Sequence, residues 1–263
     1  MEKGDTKGRK KSKKTSRKEM RKGKPSSSSQ EQTRKKGGGA PNSKKKKKEE
    51  EKPRVVIVPG NGCYPVDDSN WYSSVAKALE GKGFECFLEN MPDPNKARES
   101  IWIPFIQDKL KADSNTILVG HSSGAEAGMR YAEERKLKGL VLVSACYTDL
   151  GVENERQAGY YSRPWEWKKI RENCEWILQL ASDNDPFIPE KVVDNREIES
   201  MRIEAILPFP IYHDLIILQE MLHVAENLDS EYHCLKGRGH FLGWQLPEVV
   251  ALIEDKLKTE EKE

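Results

Sequence analysis

Residues Thr116–Glu134 read TILVGHSSGAEAGMRYAEE. An apolar, β-branched run ends at Gly120, a Gly-His-Ser-Ser-Gly turn follows, and apolar residues then recur at helical spacing. This order leaves few folds open. A buried strand that turns directly into a helix needs a crossover to reach its next strand, which implies a mostly parallel sheet covered by helices on both faces. The rest of the chain repeats the pattern. RVVIVPG (Arg54–Gly60), FECFLEN (Phe84–Asn90), GLVLVSA (Gly139–Ala145), EWILQLAS (Glu175–Ser182) and EYHCL (Glu231–Leu235) read as further strands. Asn70–Gly83, Arg98–Asp113, Ala125–Arg135 and Pro247–Lys258 read as helices, with Pro104 in the first turn of its helix or at a kink. The expected fold class is α/β, a three-layer sandwich around a sheet of about six strands.

Charge divides the chain in two. Residues 1–52 carry 21 Lys/Arg against 7 Asp/Glu, which leaves 24 against 36 for residues 53–263. The first segment is Lys, Ser and Gly without an aromatic residue, so it cannot bury enough apolar surface to offset the entropy of ordering its backbone. It reads as a disordered, basic, low-complexity arm. Such an arm suits phosphate contacts or nuclear import, and serves equally well as a solubilising tail. Without aromatics for base stacking, any nucleic-acid contact would be to phosphate and sensitive to salt. Residues 53–263 suffice for a single α/β domain. No run suits a secretory leader or a membrane span. The five cysteines, Cys63, Cys86, Cys146, Cys174 and Cys234, form no Cys-x-x-Cys pair, which favours reduced thiols in cytosol or nucleus over disulfides or a metal site.

In parallel sheets, ligand-binding groups lie just beyond the carboxyl ends of strands. Gly-x-Ser-x-Gly between a strand and a helix is the setting of a nucleophile elbow, a turn too tight for side chains at Gly120 and Gly124. Ser122 is its central residue, and Ser123 offers a backbone N–H at the positive end of the new helix, suited to an oxyanion hole. His121 diverges from Ser122 on so sharp a turn and is a poor candidate for its base. A carboxylate and a histidine are expected after later strands, in the order serine, acid, histidine. ASDNDPFIP offers Asp183 and Asp185, of which Asp185 is preferred, and KGRGHF offers His240. His213, His223 and His233 lie within helical or strand patterns and read as packed or solvated. The loop PGNGC after the first strand offers a second oxyanion donor at Asn61 or Gly62, with Cys63 as the outer choice. It lacks both G-x-G-x-x-G and G-x-x-x-x-G-K-[ST], so phosphate binding is not indicated. Trp71, Trp102, Trp165 and Trp167 are candidates either for pocket walls or for core packing.

The runs VIVPGNG, NMPDPNKARESIWIPF, GHSSGAEAGMRYAE, LVLVSACYTDLGVENERQAGYYSRPWEW, DNDPFIP and GHF together resemble the retinoblastoma-binding protein 9 family of small serine hydrolases. The resemblance implies an α/β-hydrolase fold and the triad Ser122, Asp185 and His240. It implies hydrolysis of small esters or amides without cofactor or metal. It also implies a retinoblastoma-type pocket-protein partner, and hence an alternative role as a protein-interaction module. A Leu-x-Cys-x-Glu motif would be the usual vehicle; its nearest counterpart, GFECFLEN, lacks the leucine, has its glutamate one place late and falls on an expected buried strand. Two features depart from the family: the basic arm, and residues 196–219, which read as an insertion, either a small cap over the site or a retained non-coding segment.

Overall fold

The computed structural model describes residues 52–186 and 209–260, with side chains from 219 onward in the second stretch. The basic arm therefore lies outside the described residues apart from Lys52, as do residues 196–208 of the expected insertion. Six strands form one sheet: β1 (Arg54–Val58), β2 (Cys86–Leu88), β3 (Thr116–His121), β4 (Leu137–Val143), β5 (Cys174–Ser182) and β6 (Glu231–Leu235). Their order is β2-β1-β3-β4-β5-β6, and every neighbouring pair is parallel. The expected three-layer sandwich with six parallel strands is what the chain forms.

The helices are α1 (Tyr72–Glu80), α2 (Glu99–Asp108), α3 (Ser123–Ala132), α4 (Glu153–Ala158), α5 (Trp167–Asn173), α6 (Phe209–Leu228) and α7 (Pro247–Glu260). Along β1, β3 and Leu140–Val143 of β4, residues alternate between two cores, as a period of two requires. Val56, Val58, Leu118, Leu140 and Leu142 face one core with Trp102, Met129, Tyr131, Ile170 and Val224, from α2, α3, α5 and α6. Val55, Ile57, Ile117, Val119, Val141 and Val143 face the other with Trp71, Tyr72, Leu79, Val249 and Ile253, which brings in α1 and α7. Covered on both faces, these strands are continuous apolar runs rather than alternating ones.

Three details refine the sequence expectation. β2 is a three-residue, half-buried edge strand, because only β1 flanks it. Pro104 lies mid-helix, with α2 continuing past it to Asp108. Residues 209–219 begin α6, which supplies the β5-to-β6 crossover; its later residues Met221, Val224 and Leu228 are fully buried, and the buried Gln179 amide of β5 donates to Met221 O at 2.6 Å. Parallel strands cannot be joined without such a crossover.

Leu118 is fully buried at the centre of β3. Leu118→Ala is expected to lower stability by about 2–5 kcal/mol, read as a reduced urea midpoint with an unchanged m-value.

Candidate active site

The chain leaves β1 toward β2 on one side and returns to β3 on the other. That reversal opens a crevice beyond the carboxyl ends of β1 and β3, the usual ligand position in such sheets. The loop after β1 and the turn after β3 meet there. Ser122 sits on that turn with φ 52° and ψ −126°, a left-handed backbone rare for any residue but glycine. The flanking glycines explain how the turn closes. A Cβ on Gly124 would stand 2.2 Å from Val58 O and 2.5 Å from Pro59 O, and one on Gly120 would stand 2.3 Å from Gly124 O. The elbow therefore packs backbone against backbone, with Ser122 at its tip and α3 starting at Ser123.

The loops after β5 and β6 are laced together. Gly237 N–H donates to Asp183 Oδ1 at 2.8 Å, Arg238 N–H to Ser182 Oγ at 3.0 Å, and Gly239 N–H to Asn184 Oδ1 at 2.8 Å. Three consecutive amides thus set the position of the next residue, His240. Its Nδ1 lies 2.9 Å from both oxygens of Asp185, and both side chains are buried. Ser144 Oγ, just beyond β4, donates to Asp185 Oδ2 at 2.8 Å. Asp183 is committed to the turn, whereas Asp185 faces the histidine. Since a carboxylate can only accept, His240 Nδ1 carries the hydrogen of this bond.

Ser122, His240 and Asn61 line one cavity of about 340 Å³. Leu150, Val152, Pro186 and Met221 give it apolar walls, and Glu126 and Glu155 add carboxyl groups. Ser123 N–H, first in α3, has no intrahelical acceptor. In the loop after β1, Gly60 N–H is bound to the Tyr72 hydroxyl at 3.0 Å and Gly62 N–H to Pro94 O at 2.8 Å. Gly62 thus spends its donor on a neighbouring loop. Asn61 lies between these two residues, its amide side chain held by Glu155 Oε1 at 2.7 Å.

Sequence reading did not identify Glu126, Glu155 or Glu220. Glu126, one turn into α3, is fully buried and accepts Cys146 N–H at 2.8 Å. Burial holds its carboxyl well above the usual carboxylate range despite that bond, and Glu155 and Glu220 push it further in the same direction. Burial also raises Glu155 and Glu220. Glu220 clamps the strand-end loop through Tyr147 N–H, Thr148 N–H and Thr148 Oγ1, at 3.0, 3.0 and 2.7 Å. A buried glutamate within a helix carries no sequence signature separating it from a solvated one. The tryptophans take the packing role: Trp71 and Trp102 are fully buried in the two cores, and none of the four lines this cavity. His223 stacks on Tyr147 at 4.0 Å and His233 bonds Glu231, so both act away from Ser122; the His213 side chain lies outside the described residues. Among the described residues, no group of His, Cys, Asp and Glu is arranged to hold a metal ion, and no helix is long and apolar enough to cross a membrane.

The Glu126 carboxyl has a measurable signature. Its proton is held more tightly in the folded protein than in the unfolded chain, so wild-type stability declines as pH rises above the unfolded value, near 4.5. Glu126→Gln keeps the shape and the acceptor for Cys146 N–H without the titration. The Tm advantage of the variant over wild type is expected to widen from pH 5 to pH 8. A separate substitution, Gly124→Ala, is expected to abolish soluble folding or activity, because its Cβ would meet backbone that cannot move aside.

Comparison with known proteins gives the family. A match to a family described as serine hydrolase covers residues 55–196. Serine hydrolase RBBP9 of Rattus norvegicus is 43% identical over 205 residues, covering 78% of this chain and 95% of that protein. Among solved structures, the ydeN gene product of B. subtilis superposes with a TM-score of 0.61 at 22% identity, over 78% of this chain and 99% of that one. Est1E from Butyrivibrio proteoclasticus superposes with a TM-score of 0.52 at 13% identity, over 81% and 90%. The two structures share the fold, and the family match with the RBBP9 identity fixes the lineage: this chain belongs to the serine hydrolase family.

Proposed function

We propose that the protein cleaves small esters or amides by acyl transfer, with Ser122 as nucleophile, His240 as general base and acid, and Asp185 as the carboxylate that orients and charge-balances His240. The observation that carries this reading is the strained Ser122 backbone at the mouth of a cavity that His240, bonded to Asp185, also lines. His240 Nε2 takes the Ser122 hydroxyl proton as Oγ attacks the substrate carbonyl. The oxyanion is held by the N–H groups of Ser123 and Asn61. Collapse expels the leaving group, which receives its proton from His240 and leaves an acyl ester on Ser122. Water, deprotonated by His240, then releases the acid and restores the serine.

The size and walls of the cavity favour a short, apolar acyl group. The burial that keeps Glu126 and Glu155 from ionising equally disfavours a charged acyl group in the same space.

Fluorophosphonate labelling tests the nucleophile: wild type is expected to label and Ser122→Ala to remain unlabelled. Equal labelling of the two, or none of wild type, would refute the assignment. Asp185→Asn is expected to reduce kcat on the order of 10³–10⁴-fold. For the pocket, a neutral p-nitrophenyl butyrate is expected to exceed the succinate monoester in kcat/KM by at least about tenfold, since the burial that raises Glu126 and Glu155 also penalises an unpaired carboxylate on the substrate.

A further inference from the structure

His121 is fully buried at the end of β3, and its two ring nitrogens tie that strand to the loop after β6 and to the first residue of α1. Nε2 lies 2.9 Å from the backbone oxygen of His240, and Nδ1 lies 2.7 Å from the Tyr72 hydroxyl. The direction of each bond follows from chemistry. A carbonyl oxygen only accepts, so Nε2 carries a hydrogen. Burial, reinforced by the nearby His240, pushes the His121 pKa down to about 3, so the ring is neutral and Nδ1 is a bare acceptor. The Tyr72 hydroxyl must then donate to Nδ1. With its hydrogen directed at Nδ1, its oxygen accepts Gly60 N–H at 3.0 Å and the Asn70 amide at 3.1 Å. Burial also raises the Tyr72 phenol, which keeps that proton in place. The chain of bonds has one direction only: Gly60 N–H to Tyr72, Tyr72 O–H to His121, His121 N–H to His240 O.

We propose that His121 and Tyr72 are positioning residues for hydrolysis, a relay that sets the His240 backbone and the Gly60–Asn61 loop at fixed distances from Ser122. The inference rests on the acyl-transfer reading above. His121 follows directly from β3 and shares the rigid elbow with Ser122, so whatever it holds is referenced to the nucleophile. On one side it holds the residue that supplies the base. On the other, through Tyr72, it holds the amide next to Asn61. The lacing between the β5 and β6 loops aligns His240 with Asp185, but it does not tie either residue to the elbow; the His121 bond does. Removing the Tyr72 hydroxyl leaves Nδ1 a buried acceptor without that donor and Gly60 N–H without that acceptor, so the ring and the loop after β1 lose their common anchor and the His240 carbonyl is held less firmly relative to Ser122.

The test uses the full chain and three variants, with p-nitrophenyl acetate as substrate and a fluorophosphonate as active-serine probe. His121→Leu removes both bonds, Tyr72→Phe removes the donor to Nδ1 and the acceptor of Gly60 N–H while keeping the packing, and His121→Gln retains one donor and one acceptor in a single side chain. Tyr72→Phe and His121→Leu are expected to lower kcat and the labelling rate constant about 10–100-fold, with KM within about twofold, the scale set by sub-ångström misplacement of a reacting group. His121→Gln is expected to recover most of that loss. The downfield proton resonance of the His240 Nδ1–H is expected to shift in Tyr72→Phe, a change that lost stability alone would not produce. Wild-type kcat in Tyr72→Phe, or a His121→Gln variant as impaired as His121→Leu, would overturn the relay. An unlabelled, inactive wild-type protein would instead overturn the acyl-transfer reading, and the relay with it.

Discussion

The backbone contact between Gly124 and the end of β1 governs the arrangement of the site. Because nothing larger than hydrogen fits between Gly124 and the carbonyls of Val58 and Pro59, α3 begins directly against the neighbouring strand. The chain can make that approach only by forcing Ser122 to φ 52°, a conformation of the kind that costs about 1–3 kcal/mol. The surrounding sheet supplies the restraint: β3 pairs with β1 over Thr116–Gly120 and with β4 over Ile117–His121, and Ser122 N–H donates to Val143 O at 2.9 Å. A residue strained by its neighbours is also fixed by them.

The remaining groups reach Ser122 from strands farther along the sheet, and each is held by a different device. Asp185 and His240 are set by three successive loop amides and by Ser144. The loop after β4 is held by Glu220 of α6, so the crossover helix also braces one wall of the cavity. Behind that wall, Arg130 of α3 donates to Tyr160 O, Arg163 O and Pro164 O, pairs with Glu133 at 2.5 Å and stacks 3.7 Å from the Trp165 ring, which ties the segment containing Tyr161 to the elbow helix. Burying an arginine without such pairing would be strongly unfavourable. With all its donors directed at carbonyls and one carboxylate, it becomes a fixed point.

Much of this was readable from residue patterns. Six apolar runs, each followed by a turn, gave the parallel sheet, because two-sided burial writes itself as continuous β-branched sequence. The glycines at 120 and 124 marked the elbow because steric exclusion leaves no other residue for those positions. Asp185 and His240 were found from chain order, and the geometry brings them together. The network around His121 was not legible: its partners Tyr72 and His240 are far away in sequence, and nothing local to a tyrosine in an amphipathic helix announces a hydrogen bond through a core. The same holds for Glu126, a helix glutamate that no local pattern marks as buried and that lines the cavity with Ser122. Helix α6 was partly hidden because its first half falls in a stretch that reads as inserted, although the topology requires a crossover there.

The central claim is that Ser122 carries the acyl group. Acid quenching of the reaction with p-nitrophenyl acetate during its first turnovers, followed by mass spectrometry of the peptides, tests it directly. The account predicts an acetyl adduct on the Gly120–Gly124 peptide, located at Ser122, that accumulates and then decays with substrate exhaustion. Hydrolysis that proceeds with no adduct on that peptide, or with the adduct on another residue at a kinetically competent rate, would contradict it.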